Sequence, residues 1–281
     1  MHIFTIQPHT MSSLSITLVQ SQLHWQDKAA NLAMFEQKIQ SISNKTEIVV
    51  LPEMFSTGFT MEAAALAETM DGPTVEWMQR ISATQKIILT GSIIIREGAD
   101  YYNRLLWVLP NGQIGTYDKR HRFAFAGEDN YYTAGSKRLI ASVKGWKIQL
   151  QICYDLRFPV WARQSRLPHP EEDGQQKGPE YDLLINVANW PQRRNHAWKT
   201  LLQARAIENQ CYVLGVNRTG DDGNGIHYSG DSMLVDALGE VLFSKAEEET
   251  IQTFVLQKEA LMNVRNKFPF WKDADNFTII P

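Results

Sequence analysis

A chain of 281 residues with 43% apolar and 21% charged side chains has the composition of a globular protein able to bury a large core without staples. Its net charge of -3 argues against nucleic acid or an anionic membrane as the main partner, and basic runs such as "QRR" at 192–194 are too small to change that. Only two cysteines occur, Cys153 and Cys211, with no CxxC or Cys/His cluster, so neither disulfides nor a metal are expected.

The opening "MHIFTIQPHTMSSLSITLVQ" has no basic stretch followed by a long apolar run, and no later segment holds about 18 uninterrupted apolar residues, so a cytoplasmic location is expected. Residues 1–13 read as an N-terminal extension and 14–281 as one domain. Strand-like runs rich in β-branched residues follow at 15–20 ("SITLVQ"), 47–52 ("EIVVLP"), 86–95 ("KIILTGSIII") and 104–110 ("RLLWVLP"). Between them, 28–43 sets Leu32, Phe35, Ile39 and Ile42 on one helical face, and 74–85 follows a helix-starting Gly-Pro. The later half repeats strand and helix: "KIQLQIC", "PVWARQ", "DLLINVAN" at 182–189, "HAWKTLLQARAIEN" at 196–209 and "CYVLGVN" at 211–217. "RLLWVLPNGQIGTYDK" carries an Asn-Gly hairpin turn, and "SMLVDALGEVLF" reads as a second hairpin through Asp236 to Gly239. The whole predicts an α/β protein with mixed sheets. Residues 164–180, polar and rich in Pro and Gly, read as a surface loop. The aromatic tail at 266–280 is too apolar to stay in water and is expected to pack on its own body or on a partner.

Three chemically suggestive residues fall at element ends, where ligands gather in α/β sheets. Glu53 closes "EIVVLPE", Lys119 follows the first hairpin, and Cys153 closes "KIQLQIC" in phase with Lys147, Gln149 and Gln151 rather than with Ile148, Leu150 and Ile152. A thiol attacks at neutral pH only with a base and a nearby positive charge, which Glu and Lys supply. His121 and His196 offer a Cys/His alternative, but neither shows an orienting third group in the sequence, so Glu/Lys/Cys ranks first.

The segments "LPEMFSTGF", "YDKRHRFAFAGEDNYYTAG", "QICYDLRFPVWAR" and "LLINVANWPQRRNHAWKTLLQARAIENQCYVLGVNRTG" together resemble the nitrilase superfamily of carbon-nitrogen hydrolases, specifically its omega-amidase (2-oxoglutaramate amidase) branch. The resemblance runs from about residue 14 to the end and takes in "GDSMLVDALGEVL" and "KFPFWKDADNF"; the loop at 164–180 is longer than usual there. It implies a four-layer α-β-β-α sandwich with two mixed sheets, whose subunits pair through their helical faces into a homodimer; the apolar area of the C-terminal tail places it at that interface as an expectation, and no cofactor is expected. It also implies Glu53 as general base, Lys119 as oxyanion stabiliser, Cys153 as nucleophile and Glu128 as a second glutamate near the lysine. The expected substrate is a small amide with a distal carboxylate, such as 2-oxoglutaramate or 2-oxosuccinamate. Tyr154 would offer its backbone N–H to the oxyanion, Arg157 its guanidinium to the carboxylate, and Asn189 and Trp190 would line the pocket. A nitrile or N-carbamoyl hydrolase would use the same three central residues. A non-catalytic thiol sensor would have no need of all three.

Overall fold

The computed structural model describes residues 12–164, 178–275 and 277–279. The expected extension at 1–13 therefore falls outside the described residues except for Ser12 and Ser13, as does most of the loop expected at 164–180.

The apolar runs form two sheets. In chain order the first half contributes β1 (Ser13–Gln20), α1 (Lys28–Gln40), β2 (Ile48–Val50), α2 (Ala63–Leu66), α3 (Pro73–Gln85), β3 (Ile88–Glu97), β4 (Asp100–Val108) and β5 (Ile114–Asp118). The second half adds β6 (Leu139–Val143), β7 (Trp146–Ile152), α4 (Pro159–Ala162), β8 (Leu183–Ala188), α5 (Asn195–Asn209), β9 (Tyr212–Asn217), β10 (Thr219–Asp221), β11 (His227–Val235), β12 (Val241–Ala246), β13 (Thr250–Gln257) and α6 (Lys258–Lys267). The first sheet runs β13-β1-β2-β3-β4-β5, and the second runs β10-β11-β9-β8-β7-β6 with β12 also on β11. Each has a parallel centre, β1-β2-β3 and β7-β8-β9, flanked by antiparallel partners. Both sheets are thus mixed, and both hairpins turn where the sequence places them, at Gly112 (φ 85°) and Gly239 (φ 89°).

The parallel strands are buried on both faces, as helix-covered sheets require. Leu14, Ile16 and Leu18 of β1 meet Ile148, Leu150 and Ile152 of β7 and Leu183, Ile185 and Val187 of β8 in the core between the sheets. Outside the first sheet, Phe35 and Ile39 of α1 and Val75, Met78 and Ile81 of α3 pack on Val49, Leu89 and Leu106. Outside the second, Trp198, Leu202 and Ala206 of α5 pack on Leu184, Val213 and Met233. The layers are therefore α-β-β-α. Local chemistry sets the helix limits. Asp27 caps α1 by accepting from Ala30 N–H, Pro73 occupies the first turn of α3, and Lys86 ends it in the left-handed region at φ 56°.

Two details depart from the pattern reading. Gln149 and Gln151, in phase with Cys153, do not face water; both are fully buried, because their side of β7 is roofed by α4, α5 and the turn that follows β7. The C-terminal pair β13 and α6 does not appear among the expected elements, yet β13 runs the full length of β1 and closes the first sheet.

Candidate active site

Four strand ends meet at one point. Glu53 lies three residues beyond β2, Lys119 directly follows β5, Cys153 directly follows β7 and Asn189 directly follows β8. Glu53 and Lys119 come from the first sheet, Cys153 and Asn189 from the second.

Glu53 is completely buried, and its carboxylate is held from three sides. Oε1 accepts from Asn103 Nδ2 (2.8 Å) and Lys119 Nζ (2.8 Å), while Oε2 accepts from the backbone N–H of Asn189 (2.8 Å). The Asn189 side chain returns a bond from Nδ2 to the Glu53 carbonyl (2.6 Å), so the two sheets are stitched together at the base of the site. Lys119, 1% exposed, reaches both oxygens of Glu128 at 2.9 Å, and Phe123 N–H also donates to Glu128. The result is a buried carboxylate, ammonium, carboxylate chain: Glu53, Lys119, Glu128. Burial works against the lysine charge, but Glu128 and Glu53 more than offset it and hold the ammonium above its ordinary range. Burial, assisted by the Glu53 charge, raises the Glu128 carboxyl against the pull of Lys119.

Cys153 opens the short 3-10 turn Cys153–Arg157 and sits at φ 44°, a left-handed conformation uncommon for a side chain with a Cβ. The strained corner turns Sγ out of the strand and into a pocket, 3.8 Å from the Asn189 carbonyl. Burial, and next the Glu53 carboxylate beside it, push the thiol well above its ordinary range, with Lys119 pulling the other way. These surroundings favour the neutral thiol.

The pocket has an empty volume of about 730 Å³ counted to its open mouth, and Lys119, Cys153, Tyr154, Arg157, Asn189 and Trp190 all line it. Arg157 is not tied to Asp155. That carboxylate accepts from Tyr117 Oη, from the His121 and Ile152 backbone N–H groups and from the His121 ring, while the Arg157 guanidinium lies over Trp190 at 5.0 Å. His121 does have an orienting carboxylate, contrary to the sequence reading, but it stacks on Phe158 and does not line the pocket. Sequence reasoning passed over Phe59, Phe123, Tyr228 and two further cations, Arg193 and Arg194, all of which line the same pocket. The arginines belong to the "QRR" run; Trp190 Nε1 donates to the Arg194 carbonyl (2.8 Å) and Asn217 clamps Trp190 from both sides, which folds the run back over the thiol. Among the described residues no group of three or more His, Cys, Asp or Glu stands together to hold a metal ion, and no helix is long and apolar enough to cross a membrane.

The carbon-nitrogen hydrolase family model matches residues 15–265. Over 273 residues the chain is 43% identical to the omega-amidase YafV of Yersinia enterocolitica, covering 96% of this chain and 100% of the relative. It is 31% identical over 262 residues to the 2-oxoglutaramate amidase of Bacillus subtilis (strain 168), covering 92% and 96% of the two chains. Among solved structures, XC1258 of Xanthomonas campestris, a CN-hydrolase superfamily protein with an arsenic adduct in its active site, superposes with a TM-score of 0.91 at 44% identity over 96% of this chain and 100% of that one. Saccharomyces cerevisiae Nit3, of the nitrilase superfamily, gives 0.78 at 25% identity over 92% and 94%. A family match over most of its length, on the same two-sheet sandwich, means that this chain belongs to the carbon-nitrogen hydrolases.

Proposed function

We propose that the protein is an omega-amidase that hydrolyses the side-chain amide of small 2-oxo dicarboxylic acid monoamides, such as 2-oxoglutaramate and 2-oxosuccinamate, to the acid and ammonia. The observation that carries the reading is the buried Glu53–Lys119–Glu128 chain opening onto Cys153 in a pocket that also holds Arg157. The names of the relatives described above give independent support.

In this reading Glu53 takes the Sγ proton as sulfur adds to the amide carbon, and Lys119 with the Tyr154 backbone N–H holds the oxyanion. Burial favours the neutral thiol, so attack needs a group such as Glu53 to take its proton. The C–N bond then breaks as the Glu53 carboxylic acid gives its proton to the departing nitrogen, leaving a thioester and ammonia. Glu53 next takes a proton from water as the hydroxyl adds to the thioester; the C–S bond then breaks to release the acid, and the proton returns from Glu53 to restore the Cys153 thiol. Glu128 keeps Lys119 charged and aimed, so that Glu53 is left to handle the proton.

Arg157 pairs with the carboxylate of the substrate, and the positive pocket rejects an α-ammonium. At an effective dielectric near 20, two unit charges about 6 Å apart cost roughly 3 kcal/mol, equivalent to about a hundredfold in rate. Ammonia release should therefore show a kcat/KM for 2-oxoglutaramate at least about a hundredfold above that for glutamine, and Arg157→Ala should remove most of the difference. Equal values for the two substrates, or an Arg157→Ala enzyme unchanged toward the oxo acid, would sink the carboxylate assignment.

The chain is further read as one domain acting as a cytoplasmic homodimer with the C-terminal tail at the interface. The root of the tail is tied to its own body, since Gln210 donates to the Phe268 carbonyl and accepts from Trp271 N–H, but Phe270 stays 62% exposed. Such an apolar group suits a covered face. Phe270→Asp is expected to shift the species seen by light scattering toward monomer; a dimer of unchanged strength would refute the placement of the tail.

A further inference from the structure

Three guanidinium groups, those of Arg157, Arg193 and Arg194, line the pocket that holds Cys153, and among the described residues no carboxylate forms an ion pair with any of them. The two acids nearest the thiol are already engaged, Glu53 and Glu128 both with Lys119. Arg193 is exposed at the rim. Arg157 and Arg194 are different: each is partly buried and lies against an aromatic face, Arg157 over Trp190 at 5.0 Å and Arg194 over Phe123 at 4.9 Å. Trp190 links them, because its ring carries one guanidinium and its indole N–H holds the backbone of the other. Stacking fixes the plane of a guanidinium and leaves its N–H edge free to donate.

We infer that Arg194 is a second carboxylate-reading residue, set against Arg157 so that one substrate carboxylate is gripped between two stacked guanidinium groups while its amide reaches Cys153. The inference rests on the amidase reading for the identity of the substrate, but its physical basis is separate. Burial disfavours the Arg194 charge, and the neighbouring Arg193 and Arg157 repel it. A pair of cations kept close together without a counter-ion is costly in a half-dry pocket, and an arriving carboxylate relieves that cost while filling N–H edges that have nothing else to bind. A neutral amide of the same length gains none of this. The site therefore selects for one anionic end, and it selects against a cationic end more strongly than Arg157 alone would.

The test compares kcat/KM for 2-oxoglutaramate with that for pentanamide, a neutral amide of the same chain length, in the parent, Arg194→Ala and Arg194→Lys proteins. Calorimetric binding of glutarate to each of these in a Cys153→Ala background provides a second readout. Arg194→Ala is expected to lower the anionic-to-neutral ratio by about 10- to 100-fold and to weaken glutarate by a similar factor, with partial recovery in Arg194→Lys. An unchanged ratio, or an equal fall for both amides, would assign Arg194 a structural role and overturn the inference. If the parent releases ammonia from neither amide, the amidase reading fails by itself and glutarate binding decides the clamp: weakening in Arg194→Ala upholds it, and an affinity within about twofold of the parent overturns it.

Discussion

Cys153→Ala protein is expected to release no measurable ammonia from 2-oxoglutaramate while melting within about 3 °C of the parent. The activity loss should exceed about 10⁴-fold, because the proposed route runs through a covalent bond to Sγ and the variant removes that route, not merely a contact. The stability cost is small for reasons visible at the site. Cys153 is only partly buried, its 3.8 Å contact to the Asn189 carbonyl is weak, and alanine suffers the same backbone strain at φ 44° as cysteine does. Cys211→Ala supplies the contrast: it sits fully buried against the α5 layer, so its loss should lower the melting temperature and leave ammonia release largely intact. Glu53→Gln completes the set. Removing the Glu53 charge removes a repulsion that helps keep the thiol protonated, so the pH of half-maximal alkylation of Cys153 by iodoacetamide should move down even as turnover is lost. Rapid turnover by folded Cys153→Ala, or an alkylation profile that moves up in Glu53→Gln, would contradict the division of labour between the two.

Lys119→Met should damage stability as well as chemistry. Glu53 and Glu128 are both completely buried, and without the ammonium each is left as an uncompensated charge. Breaking a buried ion pair from one side typically costs about 3–5 kcal/mol, a fall in melting temperature on the order of 10 °C for a chain of this size. The deficit should depend on pH in a definite direction. Burial already raises the Glu128 carboxyl with Lys119 in place, and removing the lysine raises it further. A carboxyl whose folded value lies above its unfolded value favours folding below the unfolded value, and that stability is lost as pH rises through the folded one. The gap between variant and parent should thus narrow from pH 8 toward pH 5, and a Lys119→Met/Glu128→Gln double variant should recover part of it at pH 8. A gap that stays constant or widens on acidification would mean that the carboxylates find another counter-charge.

How much of this could be read from residue order depends on the range of the forces involved. Strand runs and helix faces are local, and β1, β3, α1, α3, β8 and α5 lie where β-branched runs and 3.6-residue spacing put them. Glu53, Lys119 and Cys153 stand out because each terminates an element, a property of the chain rather than of space. Arg194 does not. In the sequence it is one charge in a short basic run; only the Trp190–Asn217 clamp, between residues far apart in the chain, turns that run onto the thiol. The same limit applies to Gln149 and Gln151, whose alternation shows which face of β7 they occupy but not that a helical layer covers it. It applies to β13 as well, since the need for a closing strand beside β1 is a property of the finished sheet.

The division of the site between two sheets also bears on how activity is acquired. Glu53 and Lys119 can meet on the first sheet, and Cys153 and Arg157 can be placed on the second, before the thiol faces either of the first two. Among the contacts that join the two sheets at the site is the pair of hydrogen bonds between Asn189 and Glu53, residues 136 positions apart. Contacts so distant in the chain form late, after much of the loop-closure entropy has been lost. During refolding, hydrolysis should thus lag behind the return of secondary structure and keep time with the docking of one sheet on the other, which makes the enzyme's own turnover a clock for that step.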